Sequence, residues 1–384
     1  MAGSIEKRGK ESYRLVYSMG FDAHGKRIKR TRTIKAKTKK EAEIELAKFV
    51  AEIEVGEYIK PEKIMLINFI EEWRIRYANK ILAPKTFESY NVYIDSRIIP
   101  SLGHLRLDQI KPVHLMDFLE SLEKERKDGK KGGLSVETIR YNHRVLKNIF
   151  SRAVEWEFIK VNPMEHVPKL KAKPSSVQVY NLEQVQRMMG KLKDEKMSWR
   201  VLIMLAITCG LRRGELLGLE WKHVNFKEET LYINQNVQYL KGKGFIIKEP
   251  KTKNSVRKVA IPVSLIPILK EYKKVKMEEK ELIAELWEGD EHEFLFSAWN
   301  GKPLNPSSVG TYWRRFIKKN ELPYVPFHGL RHTSATLLIN KGVHMKTISA
   351  RLGHASISTS MNIYGHALLD ADKASANHFV EIVK

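Results

Sequence analysis

The sequence predicts a multidomain α+β fold. It places a small sheet-plus-helix module at the N-terminus, then an all-α domain, then a mixed, mainly α C-terminal domain with a small antiparallel sheet. Three observations predict it. The 384 residues suffice for two or three domains, each with its own core. The apolar pattern begins with strand-like alternation, becomes helical, and is mixed in the last half of the chain. Between the last two regimes, Asn162–Val179 carries three prolines, three lysines and two serines without a clear period, as a linker does. The expected boundaries are a module over 1–62, a helical domain over 63–163, a linker over 164–179 and a C-terminal domain over 180–384.

Within the module, Ser12–Phe21 partly alternates apolar and polar residues, Asp22–Gly25 is a turn, and Lys26–Ile34 reads as a second, heavily basic strand. Thr38 and Glu41 have the spacing of a capping box, which predicts a helix with Ile44, Leu46, Phe49, Val50 and Ile53 largely on one side. The all-α domain reads as helices over Asn68–Lys80, Pro84–Ile98, Pro112–Lys127 and Ser135–Trp156. Past the linker, helices at Leu182–Leu192 and Trp199–Thr208 precede three short strand patterns, Thr230–Val237, Phe245–Lys248 and Ser255–Ile261. Helical patterns then return.

Composition narrows the function. No run approaches the roughly 18 uncharged apolar residues of a membrane span, and the N-terminus has no apolar stretch of a secretory signal. The single cysteine, Cys209, leaves no internal disulfide framework and suits a reducing cytoplasm. A net charge of +23 and a pI near 9.7 favour a polyanionic partner, because neutralised phosphates release condensed counterions. Residues 1–40 alone hold 13 basic and three acidic side chains. Arginines and lysines on the open face of a small sheet can enter a DNA groove.

Four stretches of the C-terminal domain carry chemistry: Cys209–Trp221 (CGLRRGELLGLEW), Pro250–Pro262 (PKTKNSVRKVAIP), Phe327–Leu337 (FHGLRHTSATL) and Leu352–His366 (LGHASISTSMNIYGH). In this order and spacing they resemble the tyrosine recombinase (phage-type integrase) family over most of Leu182–His366. The whole plan is similar to integrases of temperate phages and integrative conjugative elements, with an arm-type DNA-binding module, a helical core-binding domain and a catalytic domain. The resemblance implies six catalytic residues, Arg212, Lys251, His328, Arg331, His354 and Tyr364. It implies a site-specific recombinase that cleaves and rejoins duplex DNA through a 3′-phosphotyrosyl intermediate, integrating and excising a prophage or mobile element.

The chemistry suits these residue types. Phosphodiester cleavage builds negative charge on the nonbridging oxygens, which planar guanidinium forks can hold at fixed geometry. Arg212, of the G-L-R-x-x-E motif, and Arg331, of H-x-L-R-H, would form that clamp. Arg213 would point about 100° away on a helix. Glu215 lies three residues on, near enough to orient Arg212 or a neighbour. His328 and His354 match the family's two histidines, whose pKa near neutrality lets them exchange protons. His332, four residues past His328, reads as structural. Tyr364 lies ten residues after His354. Its phenol, with an ordinary pKa near 10, needs the clamp and a proton acceptor to become a nucleophile. The family's general acid is a hairpin lysine, which Lys251 fits better than Lys253. The covalent ester conserves bond energy, so no cofactor or metal is expected.

The resemblance further implies core- and arm-type attachment sites as partners, a homotetramer on DNA, and an accessory DNA-bending protein or excisionase. The setting would be the cytoplasm of a bacterial host. The tail, Leu368–Lys384, either docks on a neighbouring subunit or closes its own domain. A type IB topoisomerase-like enzyme is the alternative with the same chemistry. A metal nuclease built on His328 and His332 lacks the H-E-x-x-H base, since Gly329 occupies that place. A non-catalytic regulator built on a decayed integrase is disfavoured by the presence of all six catalytic positions.

Overall fold

The computed structural model describes residues 3–21, 27–54, 64–124, 132–171, 178–250, 255–289 and 291–353, and the chain divides at Pro174 into two units.

In the first unit, β1 (Gly3–Lys7), β2 (Ser12–Phe21) and β3 (Arg27–Lys35) form an antiparallel sheet in sequence order. Alternation places Ile5, Leu15 and Arg32 side by side on the face packed by α1 (Lys39–Glu54), whose Phe49 is wholly buried. Arg32 lies over the Phe49 ring at 4.9 Å, a cation–π contact. The basic residues of β3 therefore divide: by register Arg30 and Arg32 share the helix side, while Lys29 and Lys35 share the other face with Arg14. The Thr38 hydroxyl accepts from the Glu41 amide at 3.2 Å, and the Glu41 carboxylate accepts from the Lys37 amide at 2.8 Å. The cap thus reaches one residue further back than a standard box. Ile44 is 52% exposed, so it lies outside the stripe expected for this helix.

The helical part of this unit opens with α2 (Leu66–Trp73), a π-helical turn (Arg74–Ala78) and α3 (Asn79–Ile81). The next helix repeats that construction as α4 (Pro84–Tyr93), a π-helical turn (Ile94–Ile98) and α5 (Ile99–Leu102). Then follow α6 (Pro112–Lys124) and α7 (Val136–Glu155), which Ser135 caps by accepting from the Thr138 amide. Apolar side chains at helical spacing, among them Phe69, Trp73, Ile94, Leu146, Ile149 and Phe150, meet in one core. The start of the linker stretch joins it. Asn162 caps a short 3-10 turn, Met164 and Val167 are buried, and His143 bonds the Val167 carbonyl at 3.1 Å.

In the second unit, α8 (Leu182–Lys191) starts with a capping box formed by Asn181 and Gln184. The next helix, α9 (Met197–Thr208), is buried almost all round, from Val201 to Ile207, as the central helix of a core must be. The short α10 (Arg213–Leu217) precedes two small antiparallel sheets. One joins β4 (Val224–Asn225), β5 (Thr230–Ile233) and β8 (Arg257–Ala260); the other is a hairpin of β6 (Asn236–Leu240) and β7 (Gly244–Lys248). Thr230–Val237, expected as one strand, is therefore divided between two sheets. The break falls at Gln235, whose amide donates to the Gly218 carbonyl at 2.7 Å and to buried Glu220 at 2.6 Å. Then come α11 (Ile266–Ile283), α12 (Pro306–Lys319), α13 (Gly329–Asn340) and α14 (Met345–Leu352). No described helix is long and apolar enough to cross a membrane.

Candidate active site

Arg212 stands immediately before α10 with an extended backbone. Its amide donates to Glu215 Oε2 at 3.0 Å and its Nη1 to Oε1 at 2.6 Å. A second arginine, Arg257 of β8, approaches the same carboxylate from the other side, with Nη2 to Oε2 at 2.9 Å and Nη1 to Oε1 at 3.3 Å. Glu215 and Arg257 are both buried, with side chains 6% and 7% exposed. Burial by itself would raise the Glu215 carboxyl. The hydrogen bond and charge of Arg257, with the charge of Arg212, outweigh that and hold it below the usual carboxylate range.

Arg331 lies in the first turn of α13 and is 2% exposed. Its Nη1 donates to the Gly210 carbonyl at 2.8 Å and its Nη2 to the Leu352 carbonyl at 2.6 Å. Gly210 leaves α9 with φ +63°, and a Cβ there would meet Leu352 Cδ2 at 2.6 Å, so only glycine lets the two segments close.

The C-terminus of α14 draws these pieces together. The last carbonyls of a helix lack intrahelical partners and form the negative end of its dipole. Here three successive carbonyls each receive a different guanidinium: Arg351 O from Arg257 Nε at 2.7 Å, Leu352 O from Arg331, and Gly353 O from Arg212 Nη2 at 3.1 Å. The Arg351 guanidinium in turn donates to Thr208 O and Ala260 O, fastening α14 to α9 and β8. Gly353 ends the helix in the left-handed region at φ +66°, where a Cβ would lie 2.9 Å from Arg257 Nη1. Gly353→Ala is expected to destabilise the protein by about 1–3 kcal/mol, since a left-handed alanine is strained and Arg257 is pinned. Gly342, at φ +74° with nothing within 4 Å of such a Cβ, is the matched control, and its alanine variant should lose less in urea denaturation.

His328 is exposed, immediately before α13 and within the field of both arginines. Crowding by neighbouring protein atoms, then the charges of Arg331 and Arg212, lower its pKa, which leaves a neutral imidazole able to accept a proton. An arriving phosphate would offset those charges and raise it again. The His332 ring meets that of His328 edge-on at 5.0 Å; burial, His328 and Arg331 push its pKa down to about 4. Arg213 is exposed.

Of the six expected catalytic residues, the structure brings Arg212 and Arg331 together at the C-terminus of α14, with His328 within the reach of both charges. Lys251 and its alternative Lys253, with His354 and Tyr364, lie outside the described residues. Sequence reasoning passed over Arg257 and Arg351. The signal for Arg257 was its place in the Pro250–Pro262 stretch, where strand alternation sets it on the same side as the buried Val259.

Residues 178–370 match the phage integrase family, and residues 66–122 match the phage integrase N-terminal SAM-like domain. A tyrosine recombinase XerC-like protein of Caldanaerobacter subterraneus subsp. tengcongensis is 31% identical over 379 residues, covering 94% of each chain. The chain belongs to the phage integrase family. A second relative, the ICEBs1 integrase of Bacillus subtilis, is 27% identical and covers 99% of this integrase-family chain and 100% of its own. The fold is shared with the Tn1549 transposon integrase in complex with transposon right end DNA (TM-score 0.66, 23% identity, 82% of this chain and 99% of that one). It is shared too with a lambda integrase tetramer bound to a Holliday junction (TM-score 0.55, 19% identity, 92% and 95% covered). Family membership makes this integrase a tyrosine-type site-specific recombinase. The topoisomerase-like alternative is not favoured by these matches.

Proposed function

We propose that this recombinase binds duplex attachment sites and exchanges strands through a covalent 3′-phosphotyrosine on Tyr364, integrating and excising a mobile element or prophage. The observation that carries the reading is the convergence of Arg212 and Arg331 on the carbonyls of Gly353 and Leu352, with His328 beside them. That turn leads directly into His354 and, ten residues later, Tyr364. The two guanidiniums hold the nonbridging oxygens of the scissile phosphate. Tyr364 Oη attacks phosphorus with His328 accepting its proton, and His354 supports the phosphate by hydrogen bonding. The bond to the 5′-oxygen breaks, and Lys251 (or Lys253) protonates that leaving oxygen. Reversal by a 5′-hydroxyl of a second strand restores a phosphodiester and frees the tyrosine.

The domain roles follow the same reading. Residues 1–62 engage arm-type sites and residues 63–163 the core site. Residues 164–179 connect them to the catalytic domain over 180–384. A homotetramer assembles on DNA in the bacterial cytoplasm, and a DNA-bending accessory protein or excisionase sets direction. The tetrameric lambda integrase of the same fold supports this assembly.

The test is a nicked suicide duplex carrying the core site, labelled on the strand to be cut and incubated with the full chain in EDTA. The expected product is label that stays with the protein through SDS and yields phosphotyrosine on acid hydrolysis. A free 3′-hydroxyl end, or a product that EDTA abolishes, would overturn the reading.

A further inference from the structure

We propose that Arg257 is a positioning residue that aims Arg212 at the scissile phosphate; this rests on the reading of Arg212 as a phosphate ligand. Arg212 is 37% exposed at its side chain and is fixed by two anchors, the Glu215 carboxylate and the Gly353 carbonyl. Arg257 holds the first anchor directly and caps the helix end that carries the second. On one side it bonds both oxygens of Glu215, the same two that Arg212 uses through its amide and Nη1. On the other its Nε caps Arg351 O, two residues before Gly353, and its Nη1 also reaches Ser255 O at 3.0 Å.

The consequence for Arg212 follows from charge balance. With Arg257 in place, Glu215 is shared between two cations, and each guanidinium neutralises part of it. Without Arg257, a buried carboxylate keeps Arg212 as its one cationic partner among the described residues and draws that guanidinium inward, in the bidentate geometry such pairs favour. The donors that would face phosphate then turn toward the protein. The turn bearing Gly353 also loses the tether on Arg351 O. A displacement of about 1 Å at a reacting group can cost about 100-fold in rate.

The experiment compares wild type, Arg257→Met and Arg257→Lys on a suicide duplex whose core site has been located by footprinting the full-length protein. Each is assayed with a phosphodiester and with a methylphosphonate at the cleavage position. The methylphosphonate lacks the charged oxygen, so the aim of a guanidinium matters less there. For Arg257→Met, adduct formation on the phosphodiester should slow about 100-fold, with duplex affinity within about twofold, and on the methylphosphonate by less than about fivefold. Arg257→Lys, which keeps the charge, should recover part of the rate, and it decides the question by the same comparison if the Met variant does not fold. Equal slowing on the two substrates would overturn the proposal, because a purely structural role cannot distinguish them. No adduct from wild type on the phosphodiester would overturn the reading of the site itself, and this proposal with it.

Discussion

Tyr364→Phe is expected to abolish the SDS-stable adduct, a loss of at least about 10⁴-fold, because removing a covalent nucleophile leaves only binding and electrostatic contributions. Affinity for the duplex should remain within about twofold, as measured by gel shift. Three other tyrosines of the second unit are poorly placed to substitute. Tyr180 donates to the Pro323 carbonyl at 2.8 Å, and burial pushes its pKa up to about 12. Tyr272 donates to the Leu295 carbonyl and Tyr312 to Glu195, each at 2.6 Å, and burial first raises both phenols well above their ordinary range. A persistent adduct would move attention to the exposed Tyr232, Tyr239 and Tyr324, and would remove Tyr364 from the mechanism.

The second large effect is on folding. Glu215→Ala leaves Arg257 buried without its carboxylate partner and takes a contact from Arg212. Removing one member of a buried pair costs about 3–5 kcal/mol, because the remaining charge is uncompensated. Urea denaturation at neutral pH should register that loss. The pH dependence has a definite sign. Glu215 titrates lower in the folded protein than in the unfolded chain, so its contribution is complete above the ordinary carboxylate range, about pH 4.3. It fades as the pH falls from there through the folded value. The stability gap between wild type and Glu215→Gln should therefore narrow in acid and stay constant from pH 6 to 8. A gap unchanged at pH 3 would mean that the carboxylate charge contributes nothing.

The sequence made some of this legible and hid the rest, for identifiable reasons. Helices with long apolar periods, such as α7, could be read almost residue by residue because 20 residues repeat one physical signal. The π-helical turns could not, since each spans only five residues and leaves no repeat to read. Strand alternation predicted β2 and β3, but not which face of β3 the helix would cover. That depended on Phe49 meeting Arg32 across 17 positions of sequence. In the site, the motif spacing pointed to Arg212, His328 and Arg331. Glu215 was expected to orient Arg212, but its bonds to Arg257, 42 residues away, are a tertiary fact with no local signature. Gly210 and Gly353 appeared as motif letters. Their physical reasons, a close approach to Leu352 and a left-handed helix end, emerge only in three dimensions.

The arginine-capped end of α14 has a further consequence, which concerns timing. An arginine gives up about 1.5–2 kcal/mol of rotamer entropy when it is ordered. Arg212, Arg257 and Arg331 are each tied to a backbone carbonyl in the free chain, so that disorder is removed while the protein folds, before any phosphate arrives. A substrate entering this site meets donors whose directions are already set, and the free energy of its docking goes into contacts and desolvation. The end of one short helix thus acts as a jig, holding cations in position ahead of the anion they are to receive.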